Sequence, residues 1–361
     1  MRIRTRATGL VIGIVADAVA GDPRRGHPVA GFGTLAAGLE RRLYRDSRLA
    51  GAGYAAVLVG ATVVVGALAE RAVAGPGGAW CAAGRGAGNT AGDAHLRQAA
   101  HVGLTALATW AVLGGTSLVR EGEALGAALA AGDTTSARAR IPSLCARDPA
   151  LLDEAGMARA GVESLAENTS DAVVGPLVWG AVAGVPGLLG YRAVNTLDAM
   201  VGYRSARHAR FGWAAARLDD LVNLVPARVT AAITVAVAPL VGGSPGAAAR
   251  AWRRDAGGHP SPNAGPVEAT AAGALGLRLG GPTTYAHGTE DRPSLGDGRA
   301  PGVTDLHRTA RLSRLVAVTA GALAVGTARL LADRCPPTGG RRGRSPVVAL
   351  LTPSREHRRD R

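Results

Sequence analysis

Glu163, Glu167 and Asp171 recur every four residues in GVESLAENTSD, a spacing that lines carboxylates along one face of a helix. Like charges on one stripe repel unless a cation joins them. Asn168, Thr169 and Ser170 set further oxygens beside them. Such oxygen-rich acidic groups suit Mg²⁺, which is commonly shared between one or two carboxylates and nucleotide phosphates. Glu167 and Asp171 are therefore candidate ligands. The plainer alternative is a solvated helix end with Arg159 paired to Glu163. Position favours the first reading, because Asp171 stands at the head of an uncharged run containing VVGPLVWGAVAG.

A second concentration fills residues 191 to 230, YRAVNTLDAMVGYRSARHARFGWAAARLDDLVNLVPARVT. Asn195 and Asp198 share a face at i, i+3, as do Asp220 and Asn223, while Asp219 and Asn223 are i, i+4. Asp220 is the third candidate metal ligand. Arg192, Arg204, Arg207, Arg210, Arg217 and Arg228 surround these acids. Arginine forks beside acids are what phosphate and carboxylate ligands require, although an Arg-rich loop flanking a membrane, with the acids as counter-ions, carries the same pattern. Two loops complete the inventory. Asp17, Asp22 and His27 lie in ADAVAGDPRRGHPV, and His259, Ser261 and Asn263 lie in GGHPSPNAG, with Glu268 following. Both are punctuated by proline, which forces turns, and a turn residue is the plain reading of either histidine.

These groups must be positioned by unusual elements. Hydrophobic residues make up 47% of the chain and aromatics only 3%, the profile of helices packed through small side chains. The net charge is +14 and every cation is arginine, since no lysine occurs. There is thus no Walker lysine, no Schiff base to pyridoxal phosphate and no lysine base. The arginines flank apolar segments and do not form one basic and aromatic surface, which argues against nucleic acid as a partner. Cys81, Cys145 and Cys335 have no spacing suited to disulfides, zinc or a thiol nucleophile.

Ala50–Ala69 is twenty residues without a charge, enough at 1.5 Å per residue to cross a hydrocarbon core of about 30 Å. Ala99–Val119, Ala172–Gly190 and Val229–Ala249 reach comparable length, and Leu315–Ala328 is a shorter candidate. The expected fold is an all-α, multi-pass membrane protein with a bilayer as its setting, against the alternative of a large soluble helical protein. Pro176 and Pro186 interrupt one run, and Pro239 with GGSPG interrupts another. Each is then read as a broken or re-entrant hairpin. Arg2, Arg4 and Arg6 before an apolar run ending in Ala18-Val19-Ala20 imitate a cleavable signal peptide, and retention of this segment is expected. Residues 1–285 carry all motifs, 286–335 form a variable segment, and 336–361 form an Arg-rich tail with a flexible linker at Ala74–Gly92 as its counterpart.

ESLAENTSD, YRAVNTLDAMVGYR, GWAAARLDDLVNLVPAR and HPSPNAG, in this order, resemble the adenosylcobinamide-phosphate synthase (cobinamide synthase) family of cobalamin biosynthesis. The likeness runs from Ala16 to about Tyr285. It departs at Ala172, where a glycine is usual, and at Pro266 and Val267, where Trp-Pro is usual. The resemblance implies ATP-dependent ligation of (R)-1-amino-2-propanol or its O-phosphate to a propionate carboxylate of adenosylcobyric acid, with Mg²⁺-ATP as a substrate complex and no covalent cofactor. It assigns the chemistry to Glu163, Glu167, Asn168, Asp171, Asn195, Asp198, Asp219 and Asp220. Substrate and ATP binding fall to Asp17, Asp22, His27, Arg192, Tyr203, Arg204, Arg217, Asn223, Arg228, His259, Ser261, Asn263 and Glu268. It places the protein in the cell membrane with its site facing the cytoplasm, where ATP is found. A membrane sensor or transporter that binds its ligand without turnover is the competing class, and acids at the ends of spans speak against a transport pathway.

Overall fold

A computed structural model describes residues 2–23, 26–74, 91–203, 205–285 and 288–333. Their order is α1 (Arg2–Ala20), α2 (Pro28–Leu43), α3 (Arg48–Ala74), α4 (Ala91–Val112), α5 (Gly115–Ala130), α6 (Thr134–Leu144), α7 (Glu154–Thr169), α8 (Gly175–Val201), α9 (His208–Phe211), α10 (Trp213–Val222), α11 (Leu224–Val237), α12 (Pro245–Asp255), α13 (Ala264–Leu275) and α14 (Val303–Asp333). One antiparallel hairpin, β1 (Leu279–Tyr285) with β2 (Gly288–Leu295), is the sole sheet among the described residues. Five stretches within them are long and apolar enough to cross a membrane: Arg48–Ala74, Gly92–Ala130, Glu154–Val201, Leu224–Val241 and Val303–Leu331. The fold is a multi-pass helical membrane architecture. The tail at 336–361 and nearly all of the small-residue linker lie outside the described residues.

Small residues set the packing, as the composition implies. Gly9 and Gly13 turn one face of α1 onto Thr105 and Thr109 of α4, so close that a Cβ on Gly9 would lie 2.5 Å from the Thr105 Cβ. This is the small-xxx-small approach of membrane helices, and it makes α1 an integral helix of the bundle. The run at 99–119 is not one helix. It breaks at Leu113 and Gly114, and the Gly114 amide donates to the Ala172 carbonyl at 3.2 Å.

The last helix is longer than its apolar stretch suggests. Arg308, Arg311 and Arg314 dilute the start of α14, but Arg308 bonds Asp305 and the Leu275 carbonyl, and Arg314 reaches Glu123 at 2.7 Å. With those charges met by neighbours, the helix continues through them. Leu306, Leu312, Val316, Ala320, Ala324 and Ala328 bury themselves in the same core as α1, α5 and α7, so this segment belongs to the body that carries the motifs.

The run at 172–190 folds back on itself. Gly184 has φ 69° and ψ −147° and divides α8 into two limbs, a conformation open essentially to glycine alone. Pro186 sits in the first turn of the second limb, where its missing N–H costs nothing. Backbone groups freed at this apex are satisfied by the side chains of Arg6 and Glu70. Arg6 Nη1 donates to the carbonyls of Ala181 (3.3 Å) and Val182 (3.1 Å), and Glu70 Oε1 accepts from the Val185 amide at 2.8 Å. An irregular backbone at membrane depth requires this kind of satisfaction from protein.

The second interrupted run also returns. After α11 the chain passes a 3₁₀ turn, reverses at Gly242 (φ 73°) and runs back along α12. Arg228 at its start and Asn263 at its end then bond at 2.9 Å.

Candidate active site

The foot of the α8 hairpin is shaped by a wide π-turn at Ser170–Val174. The Gly175 amide reaches back to Ser170, which leaves the Asp171 carbonyl free, and Pro176 has no N–H to offer the Ala172 carbonyl. Tyr191 Oη donates to the first at 3.3 Å and the Gly114 amide to the second. The bulge therefore fastens α7, α5 and the second limb of α8 at one point. Such bulges recur at functional sites.

Around that point the motifs converge. Asn195 Nδ2 donates to Asp171 Oδ2 at 3.2 Å, Tyr191 Oη to Asn223 Oδ1 at 2.8 Å, and Asn223 Nδ2 to Asp219 Oδ2 at 3.0 Å. Asp219, Glu167 and Asp198 are the charged neighbours of Asp171, and Asp220 and Glu167 those of Asp198. Asn263 Nδ2 donates to the Asp220 carbonyl at 2.7 Å, and Arg217 lies 3.3 Å from Asp220 Oδ2. The two strings LDDLVN and HPSPNAG are thereby joined. Burial pushes the Asp219 carboxyl up to about 7, with Asp198 adding to the rise and bonds from Asn223 and Asn195 opposing it. A carboxyl so placed gains from a cation.

Glu268 has Glu167 and Glu163 as like-charged neighbours and Arg292 and Arg147 as oppositely charged ones. Burial, then repulsion from those two glutamates, holds it well above the usual range. His259 Nε2 lies 3.9 Å from Glu268 Oε1, both side chains 2% exposed. Burial lowers the His259 pKa. Its Nδ1 accepts from the Ser261 amide at 3.1 Å, and Ser261 Oγ caps α13 through the Asn263 and Ala264 amides. The turn reading of HPSPNAG thus holds, while the turn also delivers Asn263 and Glu268 to the site.

The amino-terminal motif arrives from another direction. Asp17 Oδ2 accepts from the Thr116 amide (3.3 Å) and hydroxyl (3.1 Å), and the Asp22 amide donates to Ser117 Oγ at 3.1 Å. His27 caps α2 through the Val29 amide, with Nε2 3.5 Å from Asp22 Oδ1. Arg192 has both Asp22 and Asp171 as charged neighbours and so bridges this motif to the others.

Some expected participants serve the scaffold. Glu163 pairs with Arg147, both buried, and its second oxygen takes the Gly280 amide at 2.8 Å. Arg159, its partner in the plainer alternative, donates to the Gly280 carbonyl at 2.8 Å. Asn168 Nδ2 is spent on Ser164, with 3.0 Å to its carbonyl and to its Oγ. Tyr203 is 53% exposed, and Arg204 lies outside the described residues. Arg292, Thr116, Ser117 and Tyr191 lie at the candidate site, and Arg147 behind it, and the spacing arguments missed all five. Only GGTS, a polar break in an apolar run, signalled any of them.

Among the described residues no group of three or more His, Cys, Asp or Glu side chains is arranged to hold a metal ion alone. Glu167, Asp171 and Asp220 are accordingly not a ready-made metal centre. Their half-buried carboxylates, with Asp219 Oδ1 buried and unpartnered, fit a cation that brings phosphate ligands with it, as Mg²⁺ does on a nucleotide.

Fold and site together define a multi-pass helical membrane protein with an acid, amide and arginine cluster at the foot of a helical hairpin. The CobD/Cbib protein family matches residues 10–313, a span containing every element of that site, and the chain belongs to this family. Cobalamin biosynthesis protein CobD of Mycobacterium tuberculosis (strain ATCC 25618 / H37Rv) is 55% identical over 322 residues, 89% of this chain and 96% of its own. The proteins of the same name from Pelobacter propionicus (40% over 299 residues, 82% and 86% of the two chains) and Rhodobacter capsulatus (41% over 303 residues, 82% and 88%) are also similar. No solved structure matches.

Proposed function

We propose that this protein acts in cobalamin biosynthesis as an ATP-dependent amide ligase, joining (R)-1-amino-2-propanol or its O-phosphate to the propionate carboxylate of adenosylcobyric acid. A carboxylate is a poor electrophile, so its oxygen first attacks the γ-phosphorus of ATP and ADP leaves. The amine nitrogen then attacks the acyl carbon, the C–N bond forms, and phosphate departs with the electron pair of the C–O bond. Catalysis of this kind rests on positioning and charge, with no covalent protein nucleophile.

The observation that carries the reading is the convergence of Glu167, Asp171, Asp198, Asp219 and Asp220 with Arg192, Arg147 and Arg292 about one hairpin foot. The acids would hold Mg²⁺ of the nucleotide, and Glu167, Asp171 and Asp220 are the ligands proposed. Arg192 and Arg292 would take phosphates and corrinoid carboxylates, and Asn195, Asn223 and Asn263 fix the acids in place. The setting is the cell membrane with the site open to the cytoplasm. The test is mass spectrometry of purified protein with adenosylcobyric acid, ATP, Mg²⁺ and each amine. Formation of the amide, with ATP hydrolysis only when both corrinoid and amine are present, supports the reading. Ligand binding without turnover favours the sensor or transporter class and overturns it.

A further inference from the structure

A ligase of three substrates needs a place for the amine, and the acids about Asp171 are committed to the nucleotide in the reading above, on which this inference rests. We infer that Asp17 and Asp22 form a separate subsite for the ammonium group of the amine substrate, on the far side of Arg192 from the nucleotide. Asp17 is 8% exposed. Its Oδ2 is fixed by Thr116, whereas Oδ1 is buried with no partner. Asp22 has its backbone fixed by Ser117 and likewise keeps a buried Oδ1 without a hydrogen bond. Asp17 and Asp22 feel one another, with Arg120 the cation beside Asp17. Asp17 Oδ1 is out of water and unfilled and Asp22 Oδ1 has only His27 Nε2 at 3.5 Å, so the pair gains from a further donor. A primary ammonium has three donors and one positive charge, and so answers both oxygens.

The surroundings supply direction. Gly114 lies where the two motifs meet. A Cβ there would stand 3.6 Å from Ala172, 3.7 Å from Arg192 Nη2 and 3.9 Å from Asp22 Oδ2. At Gly115 a Cβ would meet Val173 Cγ2 at 2.7 Å and stand 3.7 Å from Asp17 Oδ2, so glycine there lets α5 approach closely. Arg192 Nε is buried and unpartnered, and this arginine has both Asp22 and Asp171 as charged neighbours. An amine held by Asp17 and Asp22 is thus one arginine away from the acids that face the nucleotide. The ammonium first passes one proton to the Asp22 carboxylate, which is partly open to water. The freed amine then attacks the acyl carbon, and its second proton goes to the phosphate departing toward Arg192.

Steady-state kinetics on the detergent-purified protein tests this. Asp17→Asn and Asp22→Asn each raise KM for 1-amino-2-propanol by about tenfold or more, while KM for ATP stays within about twofold of wild type. Isothermal titration without ATP gives a second readout. Wild type binds 1-amino-2-propanol and not propan-2-ol, and Asp22→Asn loses the amine. Should Asp17→Asn fail to fold, Asp22→Asn carries the test, because its side chain is 29% exposed. An unchanged KM for the amine in folded Asp22→Asn, or a site that binds MgCl₂ in place of the amine, overturns the inference. If wild type forms no amide with either amine, the ligase reading falls, and the titration still decides whether an ammonium subsite exists.

Discussion

At the scale of the residue, the site is an assembly of like charges held by neutral donors. Asp171, Asp198, Asp219 and Asp220 stand close enough to repel, and Asn195 and Asn223 hold two of them by hydrogen bonds. If these acids serve the nucleotide, alanine at Glu167, Asp171, Asp198 or Asp220 lowers amide formation by roughly 100-fold or more and leaves membrane insertion intact. Full activity in the Asp171→Ala, Asp220→Ala double variant contradicts the assignment. Glu268 gives a test by pH. Burial raises its pKa in the folded protein, so the folded state holds the proton more tightly than the unfolded chain. Its contribution to stability is then complete below the ordinary glutamate range and is lost as pH rises through the folded-state pKa. Melting of wild type beside Glu268→Gln, from about pH 5 to about pH 8, shifts in favour of the variant as pH rises. A constant difference contradicts the placement. Motif spacing exposed the acids and amides of the site, because function concentrates them in short strings. Arg147 and Tyr191 escaped it, since a partner from a distant element leaves no local period.

At the scale of the element, two features of α8 are inseparable: proline and glycine break the run, and charged side chains from α1 and α3 take up the groups the break sets free. Gly184→Ala should cost about 1–3 kcal/mol from backbone conformation alone, and its Cβ would press on Glu70 and come within 2.8 Å of Arg6. Thermal denaturation in detergent checks this. An unchanged melting temperature means that the apex lies elsewhere. Pro176 and Pro186 announced an interruption in the sequence, but the apex falls between them, because each proline settles in the first turn of its own limb. The roles of Arg6 and Glu70 were hidden. Arg6 looked like part of a basic leader and Glu70 like the end of a span.

At the scale of the whole molecule, the returning hairpins gather the segments at 120–171, 191–228 and 250–302, so one site can draw on all three. The bonds Asn195 to Asp171 and Arg228 to Asn263 are the physical record of that return. In a background without native cysteines, single cysteines at Ser143, Ser205 and Pro262, all exposed, label from the same face of the membrane. Ser205 on the opposite face from the other two contradicts the hairpin arrangement. In the ligase reading proposed above, this site drives amide formation by passing the γ-phosphoryl group of ATP to the substrate carboxylate. Adenosylcobyric acid carrying ¹⁸O in that carboxylate tests it most directly, through mass spectrometry of the products. One ¹⁸O in the released inorganic phosphate, with unlabelled ADP, is the predicted result. Label in AMP, or amide formed with no label in phosphate, contradicts it.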